Sequence, residues 1–179
     1  MMRRRVEVYG AIALCIALAL AGFWVLNVPM RSWEVAGVLG LLHLGTGKVS
    51  VVSHHSFQVL PGSHLPFRAH VTPFCSSLVS VLALASIALF LLRGPLVRRL
   101  MAFSAAAALV VGCNMVRIAA SLAVGLGYGD RSLVLFHDWV GTVFGLAYTM
   151  GGFFFMLWLL LPSASDTKLV RAARVSDVL

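Results

Sequence analysis

Charged residues are scarce in this chain. Only 11% of its 179 residues are Asp, Glu, Lys or Arg, whereas 60% are hydrophobic and the mean hydropathy is +0.96. A typical soluble domain carries about 25% charged residues, so the composition excludes an ordinary soluble enzyme and indicates an integral membrane protein. The formal net charge of +8 comes from short basic clusters between apolar runs. Such clusters orient helices against anionic lipid, so membrane lipids are expected partners and nucleic acid is not.

Cysteine is also rare, and several catalytic motifs are missing. The three cysteines, Cys15, Cys75 and Cys113, give no disulfide framework. No Gly-x-Ser-x-Gly elbow surrounds the serines after Cys75, which argues against a serine hydrolase. A metal or haem protein is a less favoured alternative, because the histidines lack zinc-ligand spacing and none are expected to face each other from spanning helices. They are His43, His54, His55, His64, His70 and His137. No cofactor and no metal are predicted.

Four apolar runs are candidates for membrane spans of about 20 residues. They lie at 8–28, 75–92, 100–125 and 133–161. The first follows a cluster of arginines, as in a signal peptide, but its length favours a retained anchor. A shorter apolar stretch, Val35 to Leu44, is predicted to lie at the interface or to form a short packed helix. The sequence thus predicts a single integral membrane domain over 1–179, an all-α polytopic bundle of about four transmembrane helices.

The segment 29–74 is predicted to be extracytoplasmic and to contain a short helix and strands. From Lys48 to Val71, valine and phenylalanine mix with serine, histidine and glutamine, and Pro61 and Gly62 interrupt the pattern. These are the residues of strands and turns. Because open strand edges leave backbone groups unpaired in lipid, we expect this segment to form a small cap over the bundle.

The distribution of Lys and Arg predicts the orientation of the helices. Nine basic residues fall on one predicted side: Arg3, Arg4, Arg5, Arg93, Arg98, Arg99, Lys168, Arg171 and Arg174. Four fall on the other: Arg31, Lys48, Arg68 and Arg131. Both termini, including the tail at 162–179, are therefore expected in the cytoplasm of a multi-pass protein of the cell membrane.

Three residues that are rare in lipid lie on three different predicted spans: Cys75, Arg117 and His137. Cys75 and His137 begin their spans at the outer surface. Arg117 lies 17 residues beyond Leu100, a rise of about 26 Å across a hydrocarbon core of about 30 Å. All three are expected near the same outer face. Together a thiol, a guanidinium and an imidazole supply the nucleophile, anion stabiliser and proton shuttle of cysteine-based acyl transfer.

Each of the three residues also has a simpler interpretation. A cysteine in an apolar helix is often a small buried hydrophobe, but Cys75 follows Pro73 at a span start, where water and helix N-terminal amides can stabilise a thiolate. Arg117 can snorkel to the headgroups, although an arginine in lipid costs about 2.5 to 3.5 kcal/mol and is normally retained for a function or a partner. His137 can serve as an interfacial anchor.

Neighbouring residues are candidates for support of this site. Asn114 lies three residues before Arg117 on the same helical face and can orient its guanidinium. Asp138 either assists His137 or caps its helix. Gly141 lies one turn beyond His137 and is expected to leave space beside the imidazole.

The order and spacing of these motifs resemble the exosortase/archaeosortase family of membrane transpeptidases. The resemblance covers about Val49 to Leu161 and rests on Cys75-Ser76-Ser77, Asn114-Met115-Val116-Arg117, and His137-Asp138 with Gly141. The family usually has glycine two residues after the cysteine, where this chain has Ser77. The resemblance implies catalytic roles for Cys75, Arg117 and His137, with support from Asn114, Asp138 and Ser76.

The resemblance implies a cysteine protease or transpeptidase whose active site faces the extracytoplasmic side. Its substrates would be exported proteins that end in a short motif, a transmembrane helix and a basic tail. Cleavage would form a thioester on Cys75, and a lipid or another amine-bearing acceptor, or water, would release the product. A second hypothesis is a non-catalytic membrane assembly or transport subunit, in which Arg117 pairs with a partner or binds a substrate.

Overall fold

The computed structural model describes residues 2–43, 49–53, 55–60, 65–91 and 95–161. Their elements are α1 (Met2–His43), β1 (Val49–Ser53), β2 (Ser56–Val59), β3 (Phe67–His70), α2 (Leu78–Ser86, continued by a π-helical turn at Ile87–Leu91), α3 (Leu96–Tyr128) and α4 (Asp130–Leu160). The predicted cytoplasmic tail at 162–179 lies outside the described residues. So do Lys48, His54, Pro61, Gly62, His64 and Arg93.

Three of the described helices are long and apolar enough to cross a membrane. They are Ile12–His43 within α1, the whole of α3 and the whole of α4, with mean hydropathies of 2.2, 1.8 and 1.8. Each exceeds the 20 or so residues that a bilayer core of about 30 Å requires. These helices indicate a membrane protein, and the helical fold with a small sheet agrees with the predicted fold class at that level.

The predicted span at 75–92 corresponds to a shorter helix. Residues 73–77 form turns, so α2 begins only at Leu78 and, with its π-helical turn, covers 14 residues. At 1.5 Å per residue this is about 21 Å. The first hydrophobic residues after Pro73, Phe74 and Cys75, therefore belong to the turn and not to the helix.

Helix α1 differs from its prediction, because the span at 8–28 and residues 35–43 of the apolar stretch Val35 to Leu44 belong to one helix of 42 residues, Met2–His43. Leu44 lies outside the described residues. Pro29 lies inside this helix and does not end it. Ser32 Oγ donates to Val28 O at 3.0 Å, and Arg31 Nε donates to Asn27 O at 3.4 Å. These side-chain bonds lie in the turn around Pro29, whose missing N–H removes the backbone bond to the carbonyl of Val25.

The three described strands form one antiparallel sheet in the order β1-β2-β3. The register pairs Val49 with Val59 and Phe57 with Ala69. The predicted strands in this segment are thus confirmed. The inner face of the sheet packs against the C-terminal half of α1 and against α3. The buried residues of this first core cluster are Val35, Val38, Leu42, Val49, Phe57, Val59, Val71 and Leu122.

Helices α3 and α4 form an antiparallel hairpin. The connection between the predicted spans 100–125 and 133–161 is shorter than the sequence indicates and consists of Gly129, whose φ of 86° lies in the left-handed region that favours glycine. At the far end of the hairpin, Arg98 Nη2 donates to Leu161 O at 3.0 Å. A second core cluster fills the space between α2, α3 and α4. Its buried residues are Leu84, Ala88, Ala102, Ala106, Val110 and Met156.

Candidate active site

The three residues singled out by the sequence lie together in the structure. Cys75 Sγ is 3.1 Å from His137 Nε2, and Arg117 Nη2 is 3.5 Å from His137 Nδ1. The predicted proximity of these side chains is therefore confirmed. The imidazole stands between the thiol and the guanidinium, and all three side chains are half-buried.

Cys75 occupies a turn that precedes α2. Its backbone N–H donates to Thr72 O at 3.0 Å, and its Sγ also lies 3.0 Å from Thr72 Oγ1. Pro73 favours this turn because its ring fixes φ. Within the described residues, the hydrogen-bond partners of Sγ are Thr72 and His137. The expected contact of Sγ with the N-terminal amides of α2 is wrong, because the helix begins three residues after Cys75.

Arg117 comes from α3, one turn after Asn114. Its Nη1 donates to Asn114 Oδ1 at 3.4 Å, so the predicted neighbourhood of the two side chains is observed. Nε is buried and has no hydrogen-bond partner among the described residues. The contacts of Nη1 with Asn114 and of Nη2 with His137 both exceed the usual range of about 2.7 to 3.2 Å. The guanidinium therefore has donors available for a further acceptor.

Gly141 makes room for this guanidinium. A Cβ at Gly141 would lie 2.9 Å from Arg117 Nε and 3.3 Å from Nη2. Gly141 is predicted to leave space beside the imidazole of His137, and the guanidinium of Arg117, which lies beside that imidazole, occupies this space. The missing side chain thus lets Arg117 lie flat against α4.

Asp138 and Ser76 have different surroundings from the three central residues. Asp138 is exposed and makes no hydrogen bond within the described part of the chain. It cannot cap its helix, since α4 begins eight residues earlier at Asp130. Ser76 is buried, and its Oγ accepts a bond from Leu78 N at 3.3 Å. Ser76 therefore supports the start of α2 beside the nucleophile candidate.

Sequence reasoning missed Glu34, a fully buried carboxylate on α1. Its Oε1 accepts three hydrogen bonds: from Ser77 N at 2.9 Å, from Ser77 Oγ at 2.6 Å and from Asn114 Nδ2 at 2.9 Å. Glu34 was hidden by its assignment to a segment outside the bundle. Its spacing of four residues from Val38 and eight from Leu42 on one helical face was the available signal.

Tyr148 on α4 completes the hydrogen-bond network. Its hydroxyl donates to Asn114 Oδ1 at 2.9 Å, while Asn114 Nδ2 also donates to the backbone O of Cys75 at 3.0 Å. Asn114 is fully buried and so contacts α1, α4 and the Cys75 turn at once. No sequence pattern points to Tyr148, which resembles an ordinary aromatic residue of an apolar helix.

A small cavity of about 50 Å³ lies beside the three central side chains. It is lined by Cys75, Arg117 and His137 on one side. Its other walls are mostly apolar and come from the sheet, α3 and α4: Phe57, Ala69, Val71, Ile118, Leu122 and Leu133. This cavity offers an apolar surface directly next to a thiol, an imidazole and a cation.

The structure also bears on metal binding. In the described ranges, no three His, Cys, Asp or Glu side chains come close enough to hold a metal ion. His55 and His70 have ring centroids 6.3 Å apart and are both exposed. Within the described part of the chain, no carboxylate or thiol joins these two histidines to form a set of metal ligands. All three cysteines are free.

Comparison with known proteins assigns no function to the site. No protein-family model, no curated protein and no solved structure matches this chain. The functional assignment therefore depends on the imidazole of His137, which lies 3.1 Å from the sulfur of Cys75 and 3.5 Å from Nη2 of Arg117.

Proposed function

We propose that this protein is a membrane-embedded cysteine peptidase or transpeptidase that acts on exported proteins at the extracytoplasmic face. The observation that carries the proposal is the 3.1 Å contact between Cys75 Sγ and His137 Nε2, with Arg117 beside the same imidazole. A nucleophile next to a base, with a cation within reach, is the arrangement that acyl transfer requires. The resemblance to exosortases and archaeosortases suggests the substrate, a C-terminal motif followed by a transmembrane helix and a basic tail.

In the first half of the reaction, His137 Nε2 accepts the proton of the Cys75 thiol. The thiolate attacks a peptide carbonyl carbon and forms a C–S bond, and the carbonyl electrons move to oxygen. Arg117 donates hydrogen bonds to this oxyanion from a guanidinium whose donors are only partly used. The C–N bond then breaks, and the departing amine takes the proton from Nε2. The product is a thioester on Cys75.

In the second half, an acceptor attacks the thioester. An amine, carried by a lipid or another molecule, gives up a proton to His137 and forms a new amide as the C–S bond breaks. The proton returns to the Cys75 sulfur. Water in place of the amine gives a free carboxylate, so the same residues serve a transpeptidase or a protease. No step requires a metal or an organic cofactor.

The lengths of the helices support a site near one surface of the membrane. Arg117 lies 21 residues beyond Leu96, a rise of about 32 Å, close to the full hydrocarbon thickness. Arg98 and Arg99 at the start of α3 mark the opposite, cytoplasmic end. In this arrangement α2 is a short fourth span, the sheet is an extracytoplasmic cap and both termini are cytoplasmic.

The test is the mature C-terminus of an exported partner protein, measured by mass spectrometry in cells that carry each variant. Cys75→Ala should abolish trimming while the protein still inserts, because it removes the thiol that lies beside His137 and forms the thioester. Arg117→Lys should be severely impaired, since lysine keeps the charge but loses the planar fork. Cys113→Ala is the matched control and should trim normally. Normal trimming by the Cys75→Ala form would end the proposal.

A second candidate is a non-catalytic subunit of a membrane assembly. The buried, unpartnered Nε of Arg117 favours it, because an intramembrane cation with free donors suits the binding of an anionic partner. The two candidates differ at Cys75. A binding subunit would work equally well with Cys75→Ala and would fail with Arg117→Ala, measured as recovery of the partner in detergent extracts.

A further inference from the structure

Glu34 is a buried acid that the chemistry of Cys75, Arg117 and His137 does not use. Its side chain has no exposed surface, although it belongs to an apolar helix. Burial of a carboxylate is unfavourable unless hydrogen bonds compensate. The hydrogen bonds to Oε1 come from Ser77 and Asn114, beside the candidate nucleophile and Arg117, whereas Oε2 is buried without a partner among the described residues. An acid that is buried with only one oxygen compensated suggests a specific task.

The first set of contacts ties Glu34 to the segment that carries Cys75. Both the backbone N–H and the hydroxyl of Ser77 donate to Oε1, at 2.9 and 2.6 Å. Ser77 is two residues beyond Cys75 and directly precedes α2. One oxygen of Glu34 therefore fixes the end of the turn whose other end is closed by Cys75 N and Thr72 O.

The second contact sets the orientation of the Asn114 amide. A carboxylate only accepts hydrogen bonds, so Asn114 must turn its Nδ2 towards Glu34. Oδ1 then faces the other way, where it accepts from Tyr148 and Arg117. The same Nδ2 donates to Cys75 O at 3.0 Å. The amide thus bridges an anion on α1 and a cation on α3.

From these contacts we infer that Glu34 is the positioning residue of the site. It holds the Cys75 turn through Ser77 and the Arg117 guanidinium through Asn114, so that the sulfur and the cation meet on either side of His137. The inference rests on the proposed function for its catalytic meaning. The hydroxyl of Ser77 adds one of the three bonds, and glycine at this position would keep the N–H and lose that bond.

The experiment uses the full-length protein with Cys15→Ala and Cys113→Ala, so that Cys75 is the remaining thiol. Two quantities are measured for each variant: trimming of the exported partner, and the rate of Cys75 alkylation by a small water-soluble maleimide. Alkylation reports the surroundings of the sulfur without reference to any substrate. Val38→Ala is the matched control, because Val38 lies one turn from Glu34 and is equally buried but makes no polar contact.

Glu34→Gln keeps an acceptor at Oε1 but removes the carboxylate that strengthens its hydrogen bonds, and it should lower both quantities about tenfold. Val38→Ala should lower the thermal stability and leave trimming per folded molecule and the alkylation rate unchanged. Ser77→Gly should lower trimming and the alkylation rate less than Glu34→Gln does. This variant tests the inference even if the Glu34 variant inserts poorly. Wild-type trimming and alkylation in Glu34→Gln or in Ser77→Gly would overturn the inference.

A second variant separates positioning from simple packing. Asn114→Asp keeps the volume of the side chain but places an acceptor where Nδ2 donates to Glu34 Oε1 and to Cys75 O, so trimming and alkylation should both fall. Wild-type values of both quantities in Asn114→Asp would contradict the inference. If Cys75→Ala trims normally, the proposed function fails, while the alkylation rates still test the role of Glu34.

Discussion

At the residue scale, the absence of a side chain at Gly141 determines where the guanidinium of Arg117 can lie. The nearest atoms to a Cβ at this position would be Nε, Nη2 and Cζ of Arg117, at 2.9, 3.3 and 3.5 Å. A real Cβ rarely approaches so closely, so an added methyl group must displace the guanidinium. A displacement of the cation changes its distance from His137 and from any oxyanion formed at Cys75.

Gly141→Ala should therefore reduce trimming about 10-fold to 100-fold, the effect of a misplaced catalytic group. Gly145→Ala is the matched control on the next turn of α4, because its Cβ would meet Tyr148 Oη at 3.8 Å, an ordinary contact. Both rates are normalised to the amount of folded protein in the membrane. Equal trimming by the two variants would show that the position of Arg117 does not matter to the reaction.

Some residues of the site can be predicted from the sequence because they are chemically rare in their surroundings. Cys75, Arg117 and His137 each interrupt or begin an apolar run, and the rise of a helix places them at one depth. Glu34 is equally rare, yet its role depends on α1 continuing beyond Pro29. The partners of Asn114 require a three-dimensional arrangement, because three hydrogen-bonded elements meet at its amide.

At the scale of elements, α3 and α4 follow the sequence closely. The predicted spans 100–125 and 133–161 lie within or near Leu96–Tyr128 and Asp130–Leu160. Continuous apolar composition determines these helices. The predictions for α1 and α2 are wrong at the ends of these helices. Helix α1 continues through its proline, and a turn precedes α2, but neither feature changes the apolar pattern of the sequence.

The packing of α3 on α4 depends on Gly152. A Cβ there would lie 2.5 Å from Val110 Cγ2 and 3.6 Å from the backbone O of Ala106. Gly152→Leu should force the helices apart and lower the stability by about 1 to 3 kcal/mol, the usual cost of overpacking. Gly151→Leu is the control, since nothing lies within 4 Å of its Cβ position.

Thermal unfolding in detergent, followed by fluorescence, measures the difference between the two leucine variants. Gly152→Leu should unfold at a clearly lower temperature than Gly151→Leu. The tryptophan and phenylalanine residues of α4 give the signal. If both variants unfold together at the wild-type temperature, α3 and α4 do not pack as described.

At the scale of the whole molecule, the long helices exceed the thickness of a bilayer. Helix α1 has 42 residues and is about 63 Å long, twice the hydrocarbon core of about 30 Å. Its C-terminal half packs on the sheet through Val35, Val38 and Leu42, whereas many apolar side chains of its N-terminal half are exposed. Lipid is the natural neighbour of that N-terminal half, and the sheet marks the end of the molecule where the site lies.

The remaining question at this scale is whether α2 crosses the membrane. Helix α2 is about 21 Å long, so adjacent residues must extend it if it is to span the hydrocarbon core of the bilayer, which is about 30 Å thick. In the proposed four-span arrangement, Cys75 and the start of α3 lie on opposite sides. If α2 instead enters and returns, they lie on the same side. Cysteine labelling distinguishes the two cases.

Two single-cysteine proteins are needed, one with native Cys75 and one with Val97→Cys and Cys75→Ala, both with Cys15→Ala and Cys113→Ala. Val97 is suitable because 69% of its surface is exposed. We expect a membrane-impermeant maleimide to label Cys75 in intact cells, and to label Val97→Cys only after the membrane is permeabilised. Labelling of both from outside would exclude α2 as a span, and would place Arg98 and Arg99 on the same side as Cys75. Labelling of Val97→Cys alone would place Cys75 in the cytoplasm, where exported proteins with C-terminal signals could not reach it.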